Sequence, residues 1–138
     1  MAFLVDRTRS LTIADFMLAK GFFAELVGAL NISRDATHVG IILFARKGKV
    51  ISTFADEEFY NKEALYRFIE NIPDKRFMPT RIDRALIAAS NSLFTPVGGD
   101  REKFPNVLIL LTDGRTHRDS TPFAEIVPSL KVSHFHLR

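Results

Sequence analysis

Apolar and polar positions along this chain alternate between two rhythms. Phe3-Leu4-Val5 is a short apolar run closed by Asp6, a pattern that predicts a buried strand. A polar stretch, Arg7 to Ser10, follows. Thr12 with Asp15 three residues on predicts a capped helix start, and the apolar pattern carries that helix to about Leu30. Phe16, Met17, Leu18, Phe22, Phe23, Leu26 and Val27 make it apolar on most sides, so it is expected to be heavily buried, with Gly21 and Gly28 permitting close packing. Thr37 to Ala45 predicts a second strand and Val50 to Phe54 a third. The connection through Arg46-Lys47-Gly48-Lys49 is short enough to require an antiparallel hairpin. Asn61 caps a helix with Leu65, Phe68, Ile69 and Ile72 on one face, and Pro73 stops it. Another helix aligns Ile82, Ala85, Leu86, Ala89 and Leu93. Val107 to Leu111 is apolar on both faces, as expected of a covered strand inside a parallel sheet. A weak helix from about Pro122 to Leu130 and a tail strand within Val132 to Leu137 close the pattern.

The order β-α-β-β-α-α-β-α-β predicts an α/β fold: a doubly wound, mostly parallel sheet with one antiparallel edge strand. Sites in such sheets form beyond the carboxyl ends of the strands, where the strand order reverses. A length of 138 residues predicts a single domain, and such a chain can bury a core without disulfides or a structural metal. The absence of cysteine excludes thiolate metal sites and a cysteine nucleophile. The thirteen phenylalanines are expected in the core. A net charge of +3, without runs of like charge, gives no support to nucleic-acid binding. No apolar stretch is long enough to cross a membrane. The start Met-Ala-Phe-Leu-Val-Asp is not a signal peptide, so any export signal is expected outside this chain.

Two apolar strands each end in an acid, Asp6 and Asp113. If the strands are neighbours, both carboxylates meet at one sheet end. Thr8 and Ser10 follow Asp6 at alternate positions, which turns both hydroxyls the same way in an extended loop. Thr80 opens a helix and brings a third hydroxyl. Two carboxylates and three hydroxyls form a hard, all-oxygen set that prefers Mg²⁺, Mn²⁺ or Ca²⁺ over zinc or copper. With two acidic groups only, such an ion keeps its affinity for one more carboxylate from outside. Taken singly, each residue reads more readily as a turn or cap residue; it is their combination and order that point to a site.

These residues resemble the von Willebrand factor type A domain, the integrin I-domain fold. Its metal-ion-dependent adhesion site has the pattern Asp-x-Ser-x-Ser, then a distant Thr, then an Asp within Thr-Asp-Gly. Here the motifs are Asp6-Arg7-Thr8-Arg9-Ser10, Thr80-Arg81-Ile82-Asp83-Arg84-Ala85 and Leu110-Leu111-Thr112-Asp113-Gly114. Thr8 replaces the middle Ser and keeps its hydroxyl. Ile82 replaces the second Thr that the family tends to carry. The resemblance covers Phe3 to about Lys131. It implies that Thr8 and Ser10 ligate the ion directly, and that Thr80, Asp6 and Asp113 act directly or through water. A protein ligand's carboxylate would complete the shell, so the implied function is cation-dependent adhesion or protein binding, without catalysis. The subtype looks like extracellular-matrix and collagen-type proteins, which implies an extracellular setting and a matrix ligand such as collagen. Asn31-Ile32-Ser33 has the form of a glycosylation sequon, in weak agreement.

Around this site, Arg7, Arg9, Arg81, Gly114 and Arg115 are candidates for a ligand-binding rim, the arginines attracting acidic partners. The other reading of those arginines is solvated loop charge. His134 and His136 lack an evident third ligand, which argues against a second metal site. Two alternative functions stand beside adhesion: an intracellular scaffold domain, and a phosphoryl-transfer enzyme on a similar sheet. The latter needs a second acid two residues after Asp6, where this chain has Thr8. Compared with the family, the chain stops early after Asp113. A partial domain lacking its last strand and helices is therefore expected, with an exposed sheet edge open to self-association.

Overall fold

The computed structural model describes residues 1–130 and 134–137. Its elements are β1 (Ala2–Asp6), α1 (Ile13–Ala29), β2 (Gly40–Phe44), β3 (Gly48–Ser52), a 3₁₀ turn (Glu57–Tyr60), α2 (Lys62–Glu70), α3 (Ile82–Ala88), β4 (Val107–Leu111), α4 (Phe123–Ile126) and β5 (His134–Leu137). The helix predicted through Leu93 continues past α3 as a π-helical turn over Ala89–Leu93. The weak helix after Pro122 divides into α4 and a 3₁₀ turn, Val127–Leu130. The beginning of the predicted tail strand, Val132 and Ser133, lies outside the described residues.

The five strands lie in the order β3-β2-β1-β4-β5. β1 pairs in parallel with β2 and with β4, and β4 in parallel with β5. Among the described residues only the β2–β3 hairpin is antiparallel, as its short connection requires, and β3 lies at an edge. Strand order reverses at β1, so the crevice between the carboxyl ends of β1 and β4 is the switch point.

Alternate strand residues feed two cores. Leu4, Ile42, Phe44, Leu108 and Leu110 pack against Ile82, Leu86 and Leu93 on one face. Phe3, Val5, Ile41 and Leu43 pack against Phe16, Phe23 and Val27 of α1 and Leu65 and Ile69 of α2 on the other. Phe3 and Phe23 stack with centroids 4.3 Å apart. Burying each such side chain stabilises the fold by roughly 1.5–3 kcal/mol. Helix starts follow the sequence chemistry. Thr12 and Asp15 form a reciprocal capping box, and the Asn61 side chain accepts the Ala64 amide.

Three expectations change. α1 is not buried all round: Leu18 is 71% exposed, Met17 53% and Phe22 43%. One face of α1 meets the sheet and a flank meets α2. The remaining side borders a groove formed with Leu11 and Leu111. Apolar composition gives no information on which side is covered. Gly21 and Gly28 do not mediate close packing, since a Cβ at either would meet nothing within 4 Å. Finally, Phe77 and Phe104 leave the core and lie under the guanidinium groups of Arg7 and Arg101, at 4.6 and 4.2 Å.

Candidate metal centre

Asp6 ends β1 and is wholly buried. The parallel register sets Val5 opposite Leu111, so the next residues, Asp6 and Thr112, meet at the mouth of the switch crevice. There the Thr112 hydroxyl donates to Asp6 Oδ2 at 2.7 Å. The Thr8 amide donates to Oδ1 at 2.9 Å. Burial pushes the Asp6 carboxyl above the usual carboxylate range, against the opposing pull of the Thr8 and Thr112 hydrogen bonds. The charge of Asp113 pushes it further up.

The loop after Asp6 is pinned along its backbone. The Arg9 amide donates to the Phe77 carbonyl and the Phe77 amide to the Arg7 carbonyl, each at 3.0 Å. Thr8 is thereby buried, and its hydroxyl lies 2.6 Å from that of Ser10, which is exposed. The alternate spacing of the two hydroxyls does turn them to the same side.

Asp113 is exposed, just past β4, and its Oδ1 accepts the Arg115 amide at 3.0 Å in an Asx turn. Gly114 continues that turn at φ 81°, a conformation that side chains with a Cβ rarely adopt. Ser10, Thr112 and Asp113 line one end of the groove beside α1. Thr80 enters from another loop. The Arg81 amide donates to the Ala45 carbonyl at 2.9 Å, which places Thr80 beyond the end of β2. The Thr80 carbonyl accepts the His117 amide at 2.8 Å, which fastens it to the loop that Asp113 begins.

Hydrogen bonds thus join Asp6, Thr8, Ser10 and Thr112, while Asp113 shares the groove end with Ser10 and Thr112, and Thr80 is tied by its carbonyl to the His117 amide. Thr112 was a motif residue in the sequence, yet its role as Asp6's partner emerges only from strand register. The rim arginines divide. Arg9 and Arg115 are exposed. Arg7 donates to the Lys75 carbonyl at 3.0 Å and lies over Phe77. Arg81 turns inward and grips Asp83 through two bonds of 2.9 and 2.6 Å.

The donor chemistry suits a hard divalent cation. Among the described residues there is no cluster of three or more His, Cys, Asp or Glu, so the candidate donors here are two carboxylates with three hydroxyls. Neighbouring ligands of an octahedral ion with bonds of about 2.1 Å lie roughly 3 Å apart. The Thr8 and Ser10 oxygens, at 2.6 Å, would need to separate only slightly to serve as such a pair.

A family profile, von Willebrand factor type A domain, matches residues 1–137. Among curated relatives, von Willebrand factor of Rattus norvegicus is 27% identical over 81% of this chain and 26% of its own length. Matrilin-4 of Homo sapiens is 30% identical over 83% of this chain and 18% of its own. Matrilin-1 of Gallus gallus is 28% identical over 98% of this chain and 27% of its own. The chain therefore spans about a quarter or less of these relatives. Among solved structures, proximal thread matrix protein 1 from the mussel byssus, with a zinc-occupied MIDAS motif, superposes with a TM-score of 0.82 at 20% identity. That match covers 93% of this chain and 34% of the other. Strand order, motif positions and the profile match agree: the chain belongs to the von Willebrand factor type A domain family.

Proposed function

We propose that this chain is a divalent-cation-dependent protein-binding module that captures a carboxylate of a protein ligand. The observation that carries the reading is the buried Asp6, held by Thr112 and the Thr8 amide, beside the paired hydroxyls of Thr8 and Ser10. Thr8 and Ser10 would hold the ion directly. Thr80, Asp6 and Asp113 would hold it directly or through water. Mg²⁺ is the favoured ion, with Mn²⁺ and Ca²⁺ suited to the same oxygen set. When bound, the ion supplies an electrophile for one external carboxylate.

The neutral hydroxyls leave that electrophile under-neutralised, which favours an acidic partner. The exposed Arg9 and Arg115 would steer such a partner toward the rim. The zinc-occupied motif in the byssus protein supports a metal at the corresponding place. The likeness to matrilins and to a matrix protein supports an extracellular-matrix setting, with collagen or another matrix protein as ligand. No helix among the described residues is long and apolar enough to cross a membrane. Nothing in the arrangement supplies an acid two residues after Asp6, so the reading is binding, without phosphoryl transfer.

The test is capture of this chain on immobilised collagen and on a panel of acidic matrix proteins. Retention in Mg²⁺ that is abolished by a chelator and by esterifying the ligand's carboxylates is the expected result. Retention unaffected by the chelator contradicts it.

A further inference from the structure

Asp83 lies in the first turn of α3, where an acid is ordinarily solvent-exposed and favours the helix dipole. Here it is 1% exposed. Its Oδ1 accepts Arg81 Nε, and its Oδ2 accepts both Arg81 Nη2 and the Thr121 amide, the last at 3.1 Å. Thr121 closes the loop that Asp113 opens. The same loop is tied a second time, by the His117 amide on the Thr80 carbonyl, and is braced internally by Thr116 and Ser120, whose hydroxyls lie 2.8 Å apart. Asp83 therefore joins the segment carrying Thr80 to the far end of the segment carrying Asp113.

A buried ion pair contributes little net stability, because desolvating both charges offsets much of their attraction. Its clearer effect is to fix geometry. Arg81 adjoins Thr80, and an unpaired guanidinium there would oppose a cation; the Asp83 fork both neutralises it and turns it inward.

We propose that Asp83 is a positioning residue of the metal centre. It clamps the 116–121 loop to α3, so that Thr80 and Asp113 stand at one rim before any ion arrives, and it removes the Arg81 charge from that rim. The proposal rests on the metal-binding reading above for its effect on affinity, and on the hydrogen-bond geometry alone for the clamp.

The experiment compares wild type, Asp83→Asn and Ile69→Ala by Mg²⁺ titration calorimetry. It also measures amide hydrogen exchange at His117 and Thr121 in metal-free protein. Ile69 is a buried residue of α2 on the opposite face of the sheet, so it controls for general destabilisation. Asp83→Asn is expected to weaken Mg²⁺ binding by about tenfold or more, the usual range for residues that orient metal ligands, and to speed exchange at both amides. Ile69→Ala is expected to lower the melting temperature while leaving the affinity within about twofold, as for distant independent sites. Unchanged affinity in Asp83→Asn, or an equal loss in Ile69→Ala, overturns the positioning role. A wild type that takes up no Mg²⁺ overturns the metal reading and, with it, Asp83's role toward an ion. Exchange at the two amides then decides the clamp: faster in Asp83→Asn upholds it, unchanged overturns it.

Discussion

The hydroxyl of Thr112 donates to the buried carboxylate of Asp6 at 2.7 Å, across 106 residues of sequence. The contact exists because β1 and β4 pair in parallel with Val5 opposite Leu111. It brings the first and third motifs into one cluster. It also explains how a buried acid is tolerated, since two donors reach its two oxygens.

Asp6 is expected to trade stability for binding. Its folded pKa is raised, chiefly by burial. The folded state then holds its proton at a pH where the unfolded chain has lost it, so stability falls as pH rises from the ordinary Asp value through the raised one. Asp6→Asn keeps the shape and removes the charge. It should melt higher than wild type near neutral pH without metal, and should bind no Mg²⁺. A lower melting temperature in metal-free solution would show that the charge is satisfied as it stands.

Asp83 has the opposite sign. Burial alone would raise its pKa, but the Arg81 fork and the Thr121 and Arg84 amides outweigh burial and hold it at about 2. Its contribution is complete above the unfolded value near 3.8 and is lost as pH falls through about 2. Acid unfolding followed by circular dichroism should therefore start at lower pH in Asp83→Asn than is predicted by shifting the wild-type curve by the constant difference seen at neutral pH, because the variant has no Asp83 contribution left to lose. Parallel curves for the two proteins would contradict the assignment.

The capping box at α1 should be measurable in isolation. Thr12→Ala removes the acceptor for the Asp15 amide and the partner of its carboxylate at an exposed site. It is expected to cost about 1 kcal/mol in urea unfolding. Phe23→Ala, which removes the ring stacked on Phe3 in the core, is expected to cost about 3–5 kcal/mol.

The two exposures on α1 make a paired prediction. Leu18→Lys, at a 71% exposed position, should change stability by no more than about 0.5 kcal/mol, whereas Phe16→Lys, at 1%, should prevent folding. Equal effects would mean that the outer side of α1 is covered.

What the sequence made legible follows from how each signal is encoded. β1 and β4 declare themselves by short apolar runs, and α1 and α2 by their caps, because these are local properties. The five candidate ligands were visible because three short motifs fall in a recognisable order. Asp83 was hidden, since an acid in a first helical turn is commonplace and its burial depends on Thr121, far along the chain. The exposure of Leu18 and Phe22 was equally hidden, because a helix apolar all round does not disclose which of its sides has a neighbour. The inward turn of Arg81 required knowing that Asp83, two residues on, is buried rather than solvated.

The central claim is that the oxygens of Asp6, Thr8, Ser10, Thr80 and Asp113 form one cation site. Calorimetric titration of Mg²⁺ into wild type and into Asp113→Ala tests it most directly. Asp113 is exposed, so its removal leaves the core intact. The account predicts saturable, one-to-one binding by the wild type and its loss in the variant at unchanged melting temperature. No binding by the wild type, or undiminished binding by Asp113→Ala, would contradict it.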